Sequence, residues 1–216
     1  MTRENGQGPK PGSETLLVNL SGGVDSVYAT WKLLTDGHRL ILHHCRIVNR
    51  EGRRDVEMRA VRQVVSWLQA HRLRSFTLIE SGYDHGDMGR LIYDVELIGF
   101  LTGVALRDPS RRGIRTVVVS ANSGDASVTN PDTARIRRRK EIAEVVAGRA
   151  LNWWLPFGHV SKRQMVAEMP SDLLALCWWC RRPRDDRPCR NCRTCRDVGV
   201  LPQVQALPSR RAKEPA

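Results

Sequence analysis

The 216-residue sequence predicts an α/β fold, a mainly parallel sheet with helices on both faces and Rossmann-like strand–helix alternation. Three observations predict it. Short apolar, β-branched runs alternate with longer stretches whose apolar residues recur at helical spacing. A Ser-Gly-Gly turn stands between the first apolar run and the first helical stretch. The alternation then gives way near Leu151 to a Trp-rich, Pro-punctuated segment holding five of the six cysteines.

The elements follow in order. Residues 15–20 are a first strand that stops at Ser21-Gly22-Gly23, and 27–34 continue as helix. Residues 40–48 form a second strand, and in 55–71 Val56, Ala60, Val64, Trp67 and Leu68 share one helical face. A third strand at 75–80, a long helix at 91–106, a β-branched fourth strand at 116–120 and an amphipathic helix at 136–147 complete the pattern. Ligands of such sheets bind beyond the carboxyl ends of the strands, where the loops at Ser21, Asn49, Ser81 and Ala121 are expected to form one mouth. The organisation read from this is a flexible tail over 1–13, an α/β domain over 14–150, a cysteine-rich appendage over 151–200 and a second flexible tail over 201–216.

The first 13 residues are Gly, Pro and charge, unlike a secretory signal, and charged residues interrupt every apolar stretch before it reaches membrane-spanning length. A soluble, cytoplasmic protein is the expectation, with no membrane partner. Its 35 Lys and Arg against 23 Asp and Glu give a net charge of +12, which suits an anionic substrate such as ATP or a nucleic acid. Charge alone does not choose between them. The densest basic run is Arg135-Ile136-Arg137-Arg138-Arg139-Lys140, near a helix start.

Ser21-Gly22-Gly23-Val24-Asp25-Ser26 is the strongest local motif. Two glycines let the backbone turn tightly against an anion, the amides at the following helix start point at bound phosphate, and Ser21 and Ser26 add hydroxyl donors. Asp25 would repel phosphate unless it holds magnesium or orders the loop, so its presence is informative. The bland reading is a Gly-Gly turn with a capped helix. The motif lacks the Gly-Lys of a Walker loop and the third glycine of the dinucleotide fingerprint.

Cys180, Cys189, Cys192 and Cys195 stand as C-x8-C-x2-C-x2-C. Bridges between cysteines so close would close very small loops, and a reducing cytosol favours thiolate ligands, so the cluster reads as a metal site. Four thiolates suit zinc in a closed, structural position, with an iron–sulfur cluster as the alternative. Cys177 also makes a C-x2-C pair with Cys180 and could replace it. Cys45, alone on a strand, reads as packing, as do His43, His44 and His85. Trp153, Trp154, Trp178 and Trp179 read as core around the metal, with stacking on a flat base as the alternative for Trp178 or Trp179.

The phosphate loop resembles the SGGxDS signature of PP-loop ATP pyrophosphatases, which cleave ATP between the α and β phosphates. Together with the cysteine arrangement it resembles the 7-cyano-7-deazaguanine synthase family. Asp125, Ser127, Pro131, Asp132 and Arg135 resemble that family's acidic loop, with an Asp-to-Pro interval one residue longer. Pro156 and Lys162 match its Pro and Lys, and Glu57 its helix-opening glutamate. The resemblance runs from about Thr15 to Asp197.

It implies that Ser21, Gly22, Gly23, Val24, Asp25 and Ser26 bind the nucleotide, that Lys162 neutralises charge on pyrophosphate, and that Asp125 and Asp132 hold magnesium or substrate. It further implies a ligase of queuosine biosynthesis that adenylates 7-carboxy-7-deazaguanine, uses ammonia and requires ATP, magnesium and structural zinc, with homodimerisation. The chain departs from the family where Ile92-Tyr93-Asp94-Val95-Glu96 replaces a Pro-Gly-Arg-Asn stretch, and where Arg54 replaces a histidine. Two other readings stay open: a divergent PP-loop enzyme adenylating another carboxylate or a nucleic-acid base, and a basic zinc knuckle binding single-stranded nucleic acid through Arg190, Arg193 and Arg196.

Overall fold

The computed structural model describes residues 8–48, 51–73, 75–84, 94–125 and 135–207. Its centre is β1 (Thr15–Asn19), where Leu16, Leu17 and Val18 are wholly buried. A strand covered on both faces carries apolar side chains to both, which is why this run does not alternate. Burying each such side chain contributes about 1.5–3 kcal/mol.

Five parallel strands lie in the order β3-β2-β1-β4-β5. β2 is Arg39–Val48, β3 Phe76–Asp84, β4 Thr116–Val118 and β5 Asn152–Trp154. The α/β expectation is met, and one strand is added to it. β5 falls inside the stretch assigned to the appendage, so the sheet runs past residue 150. β3 extends four residues beyond the strand expected at 75–80 and includes Ser81, which was expected in a loop.

Helices cover both faces. On one, Leu16, Val18, Leu20, Leu40 and Leu42 meet α1 (Val24–Thr35) and α2 (Arg54–Ala70). In α2 the residues Val56, Ala60, Val61, Val64 and Leu68 form the buried stripe that the helical period requires. The same core takes in Met165 and Val166 of α5 (Lys162–Glu168), Leu173 and Leu174 of α6 (Ser171–Leu176), and Cys177. Residues after 151 thus share the main core. Val204 of a short terminal helix, Pro202–Gln205, joins it within the stretch expected to be a flexible tail.

On the opposite face Leu17, Val117, Val119 and Trp153 pack against α3 (Val95–Arg107) and α4 (Arg135–Ala147). These two helices cross so closely that a Cβ on Gly103 would stand 2.7 Å from the Ala143 carbonyl oxygen. No helix among the described residues is long and apolar enough to cross a membrane. Asp132, Ser127, Pro131, Asn49, His85, Ile92 and Tyr93 lie outside the described residues.

Candidate functional site

The strand order reverses direction between β1 and β4, and such a switch point opens a crevice at the carboxyl ends of the two strands. The Ser21–Ser26 loop leaves β1 there. Gly22 adopts φ +76, and the Ser26 hydroxyl, 3.0 Å from the Gly23 carbonyl oxygen to which it donates, closes the turn. The Ser21 N–H donates to Ser26 Oγ at 3.2 Å, and the two hydroxyls lie 3.1 Å apart. Gly23 is the N-cap of α1 and supplies no side chain to cap it. The first-turn amides, with the helix dipole behind them, therefore face the crevice as an anion seat.

Asp25 sits in that first turn and is held from two directions. Lys162 Nζ, at the start of α5, donates to Asp25 Oδ2, and Asn122 Nδ2, from the loop after β4, donates to Asp25 Oδ1 at 3.1 Å. Lys162 is positioned by a capping box, in which Ser161 Oγ accepts from the Gln164 N–H at 3.2 Å and Gln164 Oε1 accepts from the Ser161 N–H at 2.9 Å. The pairing joins residues 137 apart in sequence. Asp125 lies in the same β4 loop, its N–H donating to the Asn122 carbonyl at 3.0 Å.

Trp178 locks the loop from its other side. Its N–H donates to the Gly22 carbonyl at 2.8 Å. A cleft of about 190 Å³ opens between Ser21, Gly23 and Asp25, Lys162, and the Trp178–Arg181 segment. A methyl group on Gly22 would stand 3.0 Å from Ala60 Cβ and 3.3 Å from the Glu57 carbonyl oxygen, on a backbone conformation that side chains disfavour. Gly22→Ala is expected to cost about 1–3 kcal/mol of stability. Urea unfolding checks this, and an unchanged midpoint would show that the loop relaxes at no cost.

A charged network forms the floor. Arg53 donates from Nε to Glu51 and from Nη1 to Glu57, each at 2.6 Å, and from Nη2 to Asp94. Arg181, next to Cys180, adds Glu51 at 3.3 Å and Asp94 at 3.7 Å. Burial lifts the Glu57 carboxyl above its ordinary range even against the pull of Arg53. Burial also acts on Glu51, but Arg53 and Arg181 outweigh it and hold that carboxyl low.

Cys180, Cys189, Cys192 and Cys195 present their sulfurs within 4.8 Å of one another. Four sulfurs on a tetrahedral zinc, each about 2.3 Å from it, stand roughly 3.8 Å apart, so the set needs only slight contraction to bind the ion. The amides of Arg182 and Cys189 donate to Cys180 Sγ at 3.4 and 3.2 Å, and that of Cys192 to Cys189 Sγ at 3.3 Å, donors that stabilise thiolate. Burial pushes the Cys189 thiol up, but amides of Asn191 and Cys192 outweigh it and bring it down to about 6. Four close cysteines of this kind could hold a zinc ion. Cys177 is elsewhere, buried in the main core with Sγ 3.6 Å from the Leu173 carbonyl.

Trp178 is buried against Val56, Ala60, Cys180 and Cys195, with Nε1 donating to the Cys180 carbonyl at 2.8 Å. His43 and His44 are buried. Burial lowers His43 to about 4, which leaves it neutral with Nε2 2.8 Å from Ser81 Oγ. Cys45 is only half-buried, at the mouth-side end of β2. No protein-family model matches the chain, and no characterised protein matches it in sequence.

Two parts of the site escaped the sequence reading. Asn122 was one Asn in a loop, with no spacing to mark it. The Arg53 network draws its carboxylates from a loop, from α2 and from the residue before α3. Only the i to i+4 relation of Arg53 and Glu57 carried a signal.

Proposed function

We propose that the chain is an ATP-dependent carbon–nitrogen ligase of the PP-loop type. In this reading it adenylates the carboxylate of 7-carboxy-7-deazaguanine and uses ammonia to form 7-cyano-7-deazaguanine. What carries the reading is the uncapped start of α1 at the switch point, with Asp25 fixed between Lys162 and Asn122. The acceptor carboxylate oxygen attacks the α phosphorus and pyrophosphate leaves, its charge met by the α1 amides, the Ser21 and Ser26 hydroxyls and Lys162. Ammonia then displaces AMP to give the amide. The amide oxygen is adenylated in turn, and loss of AMP with a proton leaves the nitrile.

Magnesium, when bound, would neutralise the phosphates, and Asp25 is the carboxylate in place to meet it. Zinc on the four cysteines would have no open coordination position and would serve structure alone. The chain's own work is positioning, so no covalent enzyme intermediate is expected.

The experiment supplies the zinc-loaded protein with magnesium, ATP, ammonium and 7-carboxy-7-deazaguanine, and follows AMP, pyrophosphate and nitrile by mass spectrometry. Nitrile formation that Asp25→Ala abolishes is the expected result. Pyrophosphate release without amide or nitrile would keep the nucleotide chemistry and discard the acceptor. A second reading, in which the acceptor belongs to a nucleic acid, draws on a groove of about 590 Å³ lined by Arg46, Arg54 and Arg62. ATP turnover that depends on added RNA, and weakens steeply with salt, would favour it.

A further inference from the structure

Below the phosphate loop, on the sheet face covered by α3 and α4, lies a second and smaller space of about 50 Å³. Side chains alternate across a strand, so Leu17 and Asn19 of β1 and Ile41, His43, Cys45 and Ile47 of β2 point to this face. Asn19, His43, Cys45 and Ile47 line the chamber together with Ile98 of α3 and Ser21. A polar layer therefore sits where the periodicity of the neighbouring core would place apolar residues.

That layer is short of acceptors. Asn19 Oδ1 accepts from Thr102 Oγ1 at 3.3 Å, but Asn19 Nδ2 is sealed from solvent with no partner. Arg139 reaches in from α4, its guanidinium carbon 5.2 Å from the Trp153 ring centroid, and both Nε and Nη2 are sealed and unpartnered. All three orphaned atoms are donors. Among the described residues no carboxylate forms an ion pair with Arg139.

The acidic groups at the chamber's other end, Glu57 and Asp94, are already engaged by Arg53. His43 is neutral and occupied with Ser81. Burial lowers Arg139 to about 10 and lifts the Cys45 thiol to about 12, with the two groups attracting one another. At neutral pH the chamber thus holds one uncompensated guanidinium beside a protonated thiol. A buried charge without a counter-charge or acceptors is costly to keep, so an occupant that supplies both fits the site.

We propose that this chamber is a binding subsite for a small carboxylate, held by the Arg139 guanidinium and the Asn19 amide beside Cys45. A water needs about 10–15 Å³ of such space, so the chamber has room for a carboxylate group and little more. A planar guanidinium fork matches a carboxylate, and a single cation suits a monoanion better than a phosphate dianion. Because Ser21 lines both the chamber and the phosphate-loop cleft, the carboxylate would be presented toward the nucleotide. That last role rests on the proposed ATP chemistry, whereas the subsite does not.

The test needs no ATP. The full, zinc-loaded chain is treated separately with iodoacetate and with iodoacetamide, reagents of nearly equal size, one an anion and one neutral. Alkylation of Cys45 is measured by peptide mass spectrometry. The thiolate fraction cancels in the ratio of the two rates, so the ratio reports recognition of the carboxylate. Compared with the same chain unfolded in urea, the folded protein is expected to favour iodoacetate about tenfold or more, as hydrogen bonds to a charged group allow. The rate should saturate, and acetate should compete.

Arg139→Met should return the ratio to that of the unfolded chain, and so should Asn19→Asp, which keeps the shape and adds a repelling charge. If Arg139→Met fails to fold, Asn19→Asp carries the test. An unchanged ratio in the folded protein, indifference to both variants, or a Cys45 that neither reagent reaches would overturn the proposal. None of these results bears on nitrile formation, so the two readings fail separately.

Discussion

Stripping metal from the cysteine cluster, by chelation or by Cys195→Ser, is expected to unfold residues 178–198 and to weaken ATP binding at least about 100-fold. Structural zinc binding supplies roughly 10–16 kcal/mol in zinc-finger peptides, comparable to the whole stability of a typical domain. Here the cluster has little else to hold it. Cys180 and Cys195, 2% and 5% exposed, touch only Trp178, Val56 and Ala60 among the buried apolar residues grouped with them. Without the ion, close thiolates repel and that packing is lost.

The effect reaches the nucleotide because the cluster adjoins the loop. Trp178 N–H holds the Gly22 carbonyl at 2.8 Å, Trp178 Nε1 holds the Cys180 carbonyl at 2.8 Å, and Arg181 pairs with Glu51 and Asp94 of the floor. Releasing this segment removes one wall of the cleft and frees a glycine that must keep φ +76. Elemental analysis, tryptophan fluorescence and ATP titration on the same samples check the expectation. Metal-free protein that binds ATP as the loaded protein does would show that the cluster and the loop are independent.

How much of this was readable from the residues depends on whether the signal is local. β1, the Ser21–Ser26 loop and the four cysteines are contiguous, and their chemistry follows from spacing within a few residues. β5 is three residues long, too short for any period to show, and its two tryptophans belong equally well to a metal knuckle. Its place is set by pairing with β4, which is tertiary information.

Arg139 is the more instructive case. Read within a basic run it was surface charge, yet at i, i+4 and i+8 it shares a helical face with Ala143 and Ala147, both buried. The periodicity that identified the helix already pointed this one arginine inward. What it could not show was the missing counter-charge, because that depends on which residues β2 and β5 bring beneath it. Asn122 and the Lys162 contact to Asp25 were hidden for the same reason. Lys162 entered through resemblance, and only the fold brings its ammonium to Asp25.

That contact sets the second large effect. Under the proposed chemistry, Lys162→Met is expected to lower kcat/KM about 10²–10³-fold, the usual consequence of removing one donor to a developing charge. The loss has two parts that the geometry separates. Lys162 supplies positive charge to the leaving pyrophosphate, and it also neutralises Asp25, which otherwise faces the phosphates from the first turn of α1. In the single variant Asp25 is left with Asn122 alone, and its repulsion of ATP is exposed.

Asp25→Asn in the Lys162→Met background removes that repulsion. Without added magnesium, ATP binding is therefore expected to recover by about tenfold over Lys162→Met, a coupling of the size seen between contacting charged groups. Turnover should not recover, because the carboxylate in place to meet magnesium is gone. Isothermal titration of the four proteins in the cycle measures the coupling directly. If the two substitutions are simply additive in binding, Asp25 and Lys162 act on the nucleotide independently, and the pair is a surface contact with no part in balancing the loop's charge.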